Sequence, residues 1–203
     1  FTKKTLNLNF GNSLQLIPIT NNLIDEIYKK RITKRKIFYS LDNKSVGETH
    51  KSKIKKIQNI LKFKKADYLF VSAPENVAWL MNIRGNDCST SPIPNCQLII
   101  GRTKKLFLIV DEKIASKLIT EKKFHKSQII NPKKFKELIE ELDGNKFITD
   151  CLSCSIHNEK IIKSNFKVIE EEDPCYKLKS IKNSTEIKNT IKAHEEDGLA
   201  LTR

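Results

Sequence analysis

The side chains in this sequence whose types and spacing suit chemistry fall into a few groups. Cys151 and Cys154 stand in a CxxC arrangement, a spacing shared by zinc corners and redox dithiols. Zinc would need two further ligands, for which Cys96, Cys175 and His157 are the candidates, and a redox dithiol usually opens a helix after a strand in a thioredoxin-like pattern. The plainer reading is a pair of small buried cysteines at the end of a strand. The four histidines, His50, His125, His157 and His194, show no HExxH or paired spacing and no neighbouring acid that would complete a triad. His194 reads as a packed or hydrogen-bonded helix residue. The six glycines are scattered, so no phosphate-cradling loop is present. What remains is the polar run Asn82-Ile83-Arg84-Gly85-Asn86-Asp87. A guanidinium clamps a carboxylate or peptide carbonyls with fixed geometry. Arg84 is therefore the candidate for a contact with substrate or with a domain interface, Asn82 and Asp87 are candidates to orient it, and Gly85 is expected to supply positive φ. Against this stands the reading of Arg84 as an ordinary surface arginine and Trp79 as ordinary core.

The elements that hold this loop are legible on its N-terminal side. Residues 67–72, DYLFVS, form a short and almost wholly apolar run, which predicts a strand buried on both faces. After Ala73-Pro74, residues 75–81 place Val77, Ala78, Leu80, Met81 and the only tryptophan, Trp79, in about two helical turns, too apolar to lie free on a surface. A polar loop on a buried scaffold is a common way to build a site.

The composition limits the function classes. With 203 residues and 38% hydrophobic content the chain can bury a real core. The formal net charge of +14 would suit nucleic acid or an anionic membrane surface. The lysines are nevertheless spread along the chain, and there is no aromatic interleaving, zinc-finger spacing or RNA-binding signature. A solvated, lysine-rich surface is the better reading, so nucleic acid is not an expected partner. Five cysteines, an odd count in a chain too long to need staples, favour a reducing cytoplasm. No apolar run approaches the ~20 residues needed to span a bilayer, so no membrane partner is expected. The start at Phe1 and the stop at Arg203 inside a predicted helix read as a piece of a longer protein.

Taken in order, residues 1–10 give a weak helix pattern stopped at Gly11-Asn12, residues 14–18 a strand ended by Pro18, and Asn22 a cap for a turn or two with Leu23, Ile24, Ile27 and Tyr28 on one face. Residues 31–36 form a basic connector. A helix is predicted over 45–64, with Ile54, Ile57, Ile60 and Leu61 on one side and lysines elsewhere. Beyond the Arg84 loop, 97–100 and 106–110 read as a β-hairpin apolar on both faces. Helices over 111–119, 132–142 and 155–163 then alternate with strands over 128–130, 147–149 and 166–169. This predicts an α/β fold, a mixed and mostly buried β-sheet layered between helices. The acidic run ending Asp173-Pro174 reads as a boundary, after which Asn183 and Glu186 form a capping pattern for a last helix carrying Ile187, Ile191 and His194 on one side.

The segment PENVAWLMNIRGND resembles the second domain of three-domain Xaa-Pro aminopeptidases (aminopeptidase P), with Glu75, Val77, Ala78, Trp79, Leu80, Asn82, Ile83, Arg84, Gly85 and Asp87 fitting the family pattern. LQLIPITNNLIDEIYKKR resembles the close of that family's first domain, although Tyr28 stands where many members have Trp. LKSIKNSTEIKNTIKAHEEDGLALTR resembles the start of its catalytic domain, although Ile191 stands at the usual arginine. The resemblance implies a creatinase N-terminal-like fold divided as 1–38, the end of the first domain plus linker; 39–173, the second, non-catalytic domain; and 174–203, the start of a pita-bread catalytic domain. It also implies a metalloprotease that removes the first residue of peptides with proline second, using two divalent metals, manganese expected, held by residues outside this sequence. The fragment itself then has no cofactor, no metal ligand, no catalytic residue and no peptidase activity. Its expected partners are the catalytic domain of the same chain and a proline-second peptide, with a homodimer of the parent left open. The competing readings are a free-standing basic module for RNA or anionic surfaces and a degenerate relative kept as an interaction protein.

Overall fold

The computed structural model describes residues 1–11, 14, 17, 19, 23–27, 37–88 and 90–202. Of the strand expected over 14–18 only Leu14 and Ile17 are described, and neither lies in a strand; the Asn22 cap, Tyr28 and the connector over 31–36 lie outside the described residues. The elements are α1 (Lys3–Phe10), α2 (Leu23–Ile27), β1 (Tyr39–Ser40), α3 (Asn43–Val46), α4 (His50–Phe63), β2 (Tyr68–Val71), α5 (Pro74–Met81), β3 (Ile83–Arg84), β4 (Gln97–Gly101) and β5 (Leu106–Ile109). They continue with α6 (Glu112–Thr120), β6 (Ile129–Ile130), α7 (Phe135–Glu141), β7 (Lys146–Thr149), α8 (Ile156–Asn165), β8 (Lys167–Glu170), α9 (Pro174–Ser180) and α10 (Ser184–Thr202).

The main sheet has six strands in the order β6-β5-β4-β2-β7-β8. The predicted hairpin is its antiparallel part, with Gln97 opposite Ile109 and Ile99 opposite Phe107. Strand β2 is the seam: it runs antiparallel to β4, with Phe70 opposite Ile99, and parallel to β7, with Tyr68 opposite Phe147. Both faces of β2 are buried, as its unbroken apolar run requires. Leu69 and Val71 join a core with Ile57, Leu61, Val77, Leu80, Ala115 and Leu118 from α4, α5 and α6. Tyr68 and Phe70 join a second core with Phe135, Leu138, Ile139 and Ile162 from α7 and α8. Period-two alternation thus distributes one strand between two helical layers.

Asp67 fixes this seam at its N-terminal end. Its Oδ2 accepts from the main-chain N–H groups of Asn145 (2.9 Å) and Lys146 (3.0 Å), and Arg102 lies 3.2 Å from Oδ1. Burial opposes the Asp67 charge, yet those N–H donors and Arg102 hold its carboxyl below the usual value.

The helix predicted from residue 45 is divided in the structure. Gly47 takes φ 71° as the left-handed end of α3, and Thr49 caps α4, its hydroxyl accepting from Ser52 N–H at 3.3 Å. Asp173 caps α9 through Cys175 N–H at 2.9 Å. Helix α9 packs back on the sheet, with Cys175 fully buried and Asn76 Nδ2 donating to Asp173 Oδ2 at 2.7 Å. The capping pattern at Asn183 is reciprocal: its N–H donates to Glu186 Oε2 at 2.9 Å, and Glu186 N–H donates to Asn183 Oδ1 at 3.0 Å. Among the described residues no helix is long and apolar enough to cross a membrane.

Candidate functional site

The Arg84 segment grows from the C-terminal end of α5. A helix leaves its last carbonyls without intrahelical partners, and its dipole favours cations there. Here those carbonyls are taken by cationic side chains from separate elements. Lys53 Nζ, from α4, donates to Trp79 O at 2.9 Å and to Asn82 Oδ1 at 2.8 Å. Lys123 Nζ, beyond α6, donates to Met81 O at 2.9 Å and Asn82 O at 3.2 Å. Arg84 Nη1 donates to Ile83 O at 2.9 Å and, less closely, to Ala78 O at 3.3 Å.

Asn82 closes the helix in a left-handed conformation, φ 51°, which asparagine tolerates better than most residues. Its buried side chain accepts from Lys53 and donates through Nδ2 to Glu48 O at 2.8 Å. The positive φ expected at Gly85 is thus at Asn82 instead. Gly85 is required for a different reason: a Cβ there would sit 2.8 Å from Pro94 Cα and 3.0 Å from the Phe38 ring. The segment is also less free than a surface loop, because Ile83 and Arg84 pair as β3 with Ser40 and Tyr39 of β1.

Arg84 is half-buried, and among the described residues no carboxylate pairs with it. Burial pulls its guanidinium below the usual value, with the neighbouring Tyr39 acting in the opposite sense. Nη1 is spent on the chain's own carbonyls, whereas the rest of the fork has no hydrogen-bond partner among the described residues. Asn82 and Asp87 do not bind it. Asn82 serves Lys53 and Glu48, and Asp87 Oδ2 accepts from Asn95 N–H at 2.8 Å. The other Asp87 oxygen is buried without a partner among the described residues.

Lys53, Lys123 and His50 were not legible as site residues. Lys53 lies in a lysine run that reads as a solvated face, yet it is 1% exposed, with its ammonium 4.2 Å from the centre of the Trp79 ring. A signal was present: Lys53, Ile57 and Leu61 recur at four-residue spacing and are the buried residues of α4. Burial pushes the Lys53 ammonium down to about 8, partly offset by Glu186 and Glu48 and assisted by Arg84 and Lys56. His50 is pushed down to about 4 by burial and then by Lys123, Lys51 and Lys53.

The cysteines do not converge. Cys154 packs on the α7–α8 side of the sheet, whereas Cys96 and Cys175 pack on the α4–α5 side. Burial, then Glu159 and Asp150, pushes the Cys154 thiol up to about 12, far from the thiolate that a metal or redox site needs. Among the described residues no three His, Cys, Asp or Glu side chains come together to hold a metal.

Residues 30–186 match the family model of the creatinase/prolidase N-terminal domain. The chain belongs to that family. A Xaa-Pro aminopeptidase of Drosophila melanogaster is 30% identical over 196 residues, covering 92% of this chain and 31% of that protein. Xaa-Pro aminopeptidase 1 of Dictyostelium discoideum is 31% identical over 193 residues, covering 89% of this chain and 30% of that protein. The crystal structure of X-prolyl aminopeptidase from Caenorhabditis elegans, described as a cytosolic enzyme with a di-nuclear active site, superposes with a TM-score of 0.74 at 23% identity. That alignment covers 91% of this chain and 31% of the other. The creatinase N-terminal-like fold follows, and the chain spans under a third of the length of these relatives.

Proposed function

We propose that this chain is the non-catalytic N-terminal region of a cytoplasmic Xaa-Pro aminopeptidase, dividing as 1–38, 39–173 and 174–203 into the close of a first domain, a second domain and the start of the catalytic domain. Its role is to hold the catalytic domain and shape the entrance for a peptide with proline second. The observation that carries the reading is the relationship to Xaa-Pro aminopeptidases along about nine-tenths of this chain and under a third of theirs. The two divalent metals, manganese among the candidates, then belong to the catalytic domain.

Arg84 is the contact that reaches substrate or the catalytic domain. Its support is the part of a half-buried guanidinium that is unspent among the described residues, where main-chain carbonyls rather than an acid fix it. The test is hydrolysis of a short X-Pro-X peptide by the full-length protein, with and without Mn²⁺, beside the 203-residue chain. Activity is expected in the full-length protein alone. Arg84→Ala there should lower kcat/KM by about tenfold to a hundredfold, the loss of about 1.4 to 3 kcal/mol of transition-state stabilisation, with metal content unchanged. An unchanged kcat/KM reduces Arg84 to a structural role.

A further inference from the structure

Two observations meet at Trp79. The first is the root of α10. Asn183 Nδ2 donates to Val46 O at 2.9 Å and Asn189 Nδ2 donates to Ser45 O at 3.0 Å, so α10 reads the last carbonyls of α3. Gly47 makes room for this: a Cβ there would lie 2.5 Å from Asn183 Oδ1 and 2.7 Å from Thr185 Cβ, and its φ of 71° disfavours any side chain. Beyond that root α10 is exposed, Ile187, Ile191, Leu199 and Leu201 included.

The second is the Arg84 segment, whose turn residue Asn82 is held by Lys53. Trp79 connects the two. Its Nε1 donates to Glu186 Oε1 at 3.4 Å, and its ring lies under the Lys53 ammonium. Glu186 in turn accepts from Asn183 N–H, so the carboxylate that closes the α10 cap also faces the Trp79–Lys53 pair. The route from cap to loop is contiguous, from Glu186 through Trp79 and Lys53 to Asn82, the residue two before Arg84.

We propose that Lys53 and Glu186 are positioning residues that couple the root of α10 to the Arg84 segment through Trp79, so that a displacement of α10 is felt at Arg84. Among the described residues the titratable and charged groups facing Lys53 are Glu186 from α10, Glu48 from the turn before α4, Arg84 from β3, Cys175 from α9, and Lys56 and His50 from α4 itself. Of these only Glu186 belongs to the helix that would move. Where Arg84 meets substrate or the catalytic domain, as proposed above, the coupling gives α10 a means of setting that contact. The coupling itself is a property of this chain and is tested without peptidase activity.

Trp79 is the only tryptophan in the 203-residue chain, so its emission reports this joint directly. In the wild-type chain a pH titration of that emission should show a step near the pH where Lys53 loses its proton, about 8. Lys53→Met should abolish the step. Glu186→Gln keeps the hydrogen-bonding shape but removes the charge that favours the ammonium, so the step should move to lower pH. In the same variant, amide exchange over residues 82–85 should accelerate by about tenfold, reflecting easier local opening, while the β4–β5 hairpin is unchanged. Gly47→Ala, which disturbs the root from the other side, should accelerate the same amides. An unmoved step in Glu186→Gln, or exchange over 82–85 within about twofold of wild type in both Glu186→Gln and Gly47→Ala, overturns the proposal. Should Lys53→Met fail to fold, the other variants decide the matter alone.

Discussion

Replacing Gly85 with alanine tests the packing account of the Arg84 segment. The added Cβ would stand 2.8 Å from Pro94 Cα and 3.0 Å from two carbons of the Phe38 ring, where carbon–carbon contacts are ordinarily about 3.5–4.0 Å. Neither neighbour yields easily. Pro94 Cα is main chain in a residue whose φ is locked, and Phe38 is fully buried in the core that includes Ile83 and Met81. Relief of ~0.7 Å must therefore come from the backbone at Gly85, tied on one side to β3 and its pairing with β1 and on the other by Gly85 N–H donating to Pro92 O at 3.2 Å. Overpacking of this kind costs about 1–3 kcal/mol, and a backbone obstacle puts the expectation in the upper half, ~2–3 kcal/mol. For a chain of this length that corresponds to roughly 5–10 °C in Tm. Gly198→Ala is the matched control: nothing lies within 4 Å of its Cβ position and it is inside α10, so it should gain up to about 1 kcal/mol of helix propensity. Urea unfolding followed by Trp79 emission measures both, with an unchanged m-value expected. A loss below ~0.5 kcal/mol for Gly85→Ala, or equal losses at both sites, refutes the reasoning.

Further outcomes follow from other buried groups. His50 is held neutral in the fold, its proton affinity lowered from 6.5 to about 4. The unfolded chain therefore binds more protons across that window, and stability should fall as pH drops from 6.5 towards 4. His50→Gln should flatten this part of a pH series of urea midpoints, and an identical acid slope in the variant would remove His50 as its cause. Asp173→Ala removes the cap on Cys175 N–H and leaves the buried Asn76 amide without an acceptor, a loss of about 2–3 kcal/mol. Calorimetry showing under ~1 kcal/mol would mean that Asn76 finds another partner.

The fold was legible where side-chain pattern and burial agree. The apolar run 67–72 and the hairpin predicted from residues 97–110 appear as β2, β4 and β5, whereas the helix expected over 132–142 is shorter: Pro132 opens a 3-10 turn, Pro132–Lys134, that leads into α7, and α7 ends at Glu141, short of Gly144. Single residues in turns were less legible. Gly47 divides a helix that the Ile54–Leu61 spacing extends too far, because hydrophobic periodicity does not report where the chain turns. At the candidate site Arg84 stood out by type, but its partners did not. The acceptors are main-chain carbonyls of α5, which carry no letter in the sequence, and Lys53 reaches them from among lysines that read as the solvated faces of an amphipathic helix. Cys175 and Leu178 likewise follow an acidic run that suggests a boundary, yet they pack against the core.

The position of β2 also governs how the molecule can be assembled during synthesis. One side of β2 is satisfied early, since Tyr68 meets Gly101 and the hairpin to Ile109 follows at once. The other side waits for Phe147, and β7 in turn waits for β8 at Lys167. A nascent chain halted after the hairpin therefore presents an open strand edge and one bare apolar face, Tyr68, Phe70 and Ile99, because the helices that cover that face come later. Closure of the sheet is a late, long-range event of the slow kind. The period between emergence of Ile109 and emergence of β7 is when this chain most needs protection from association with its neighbours.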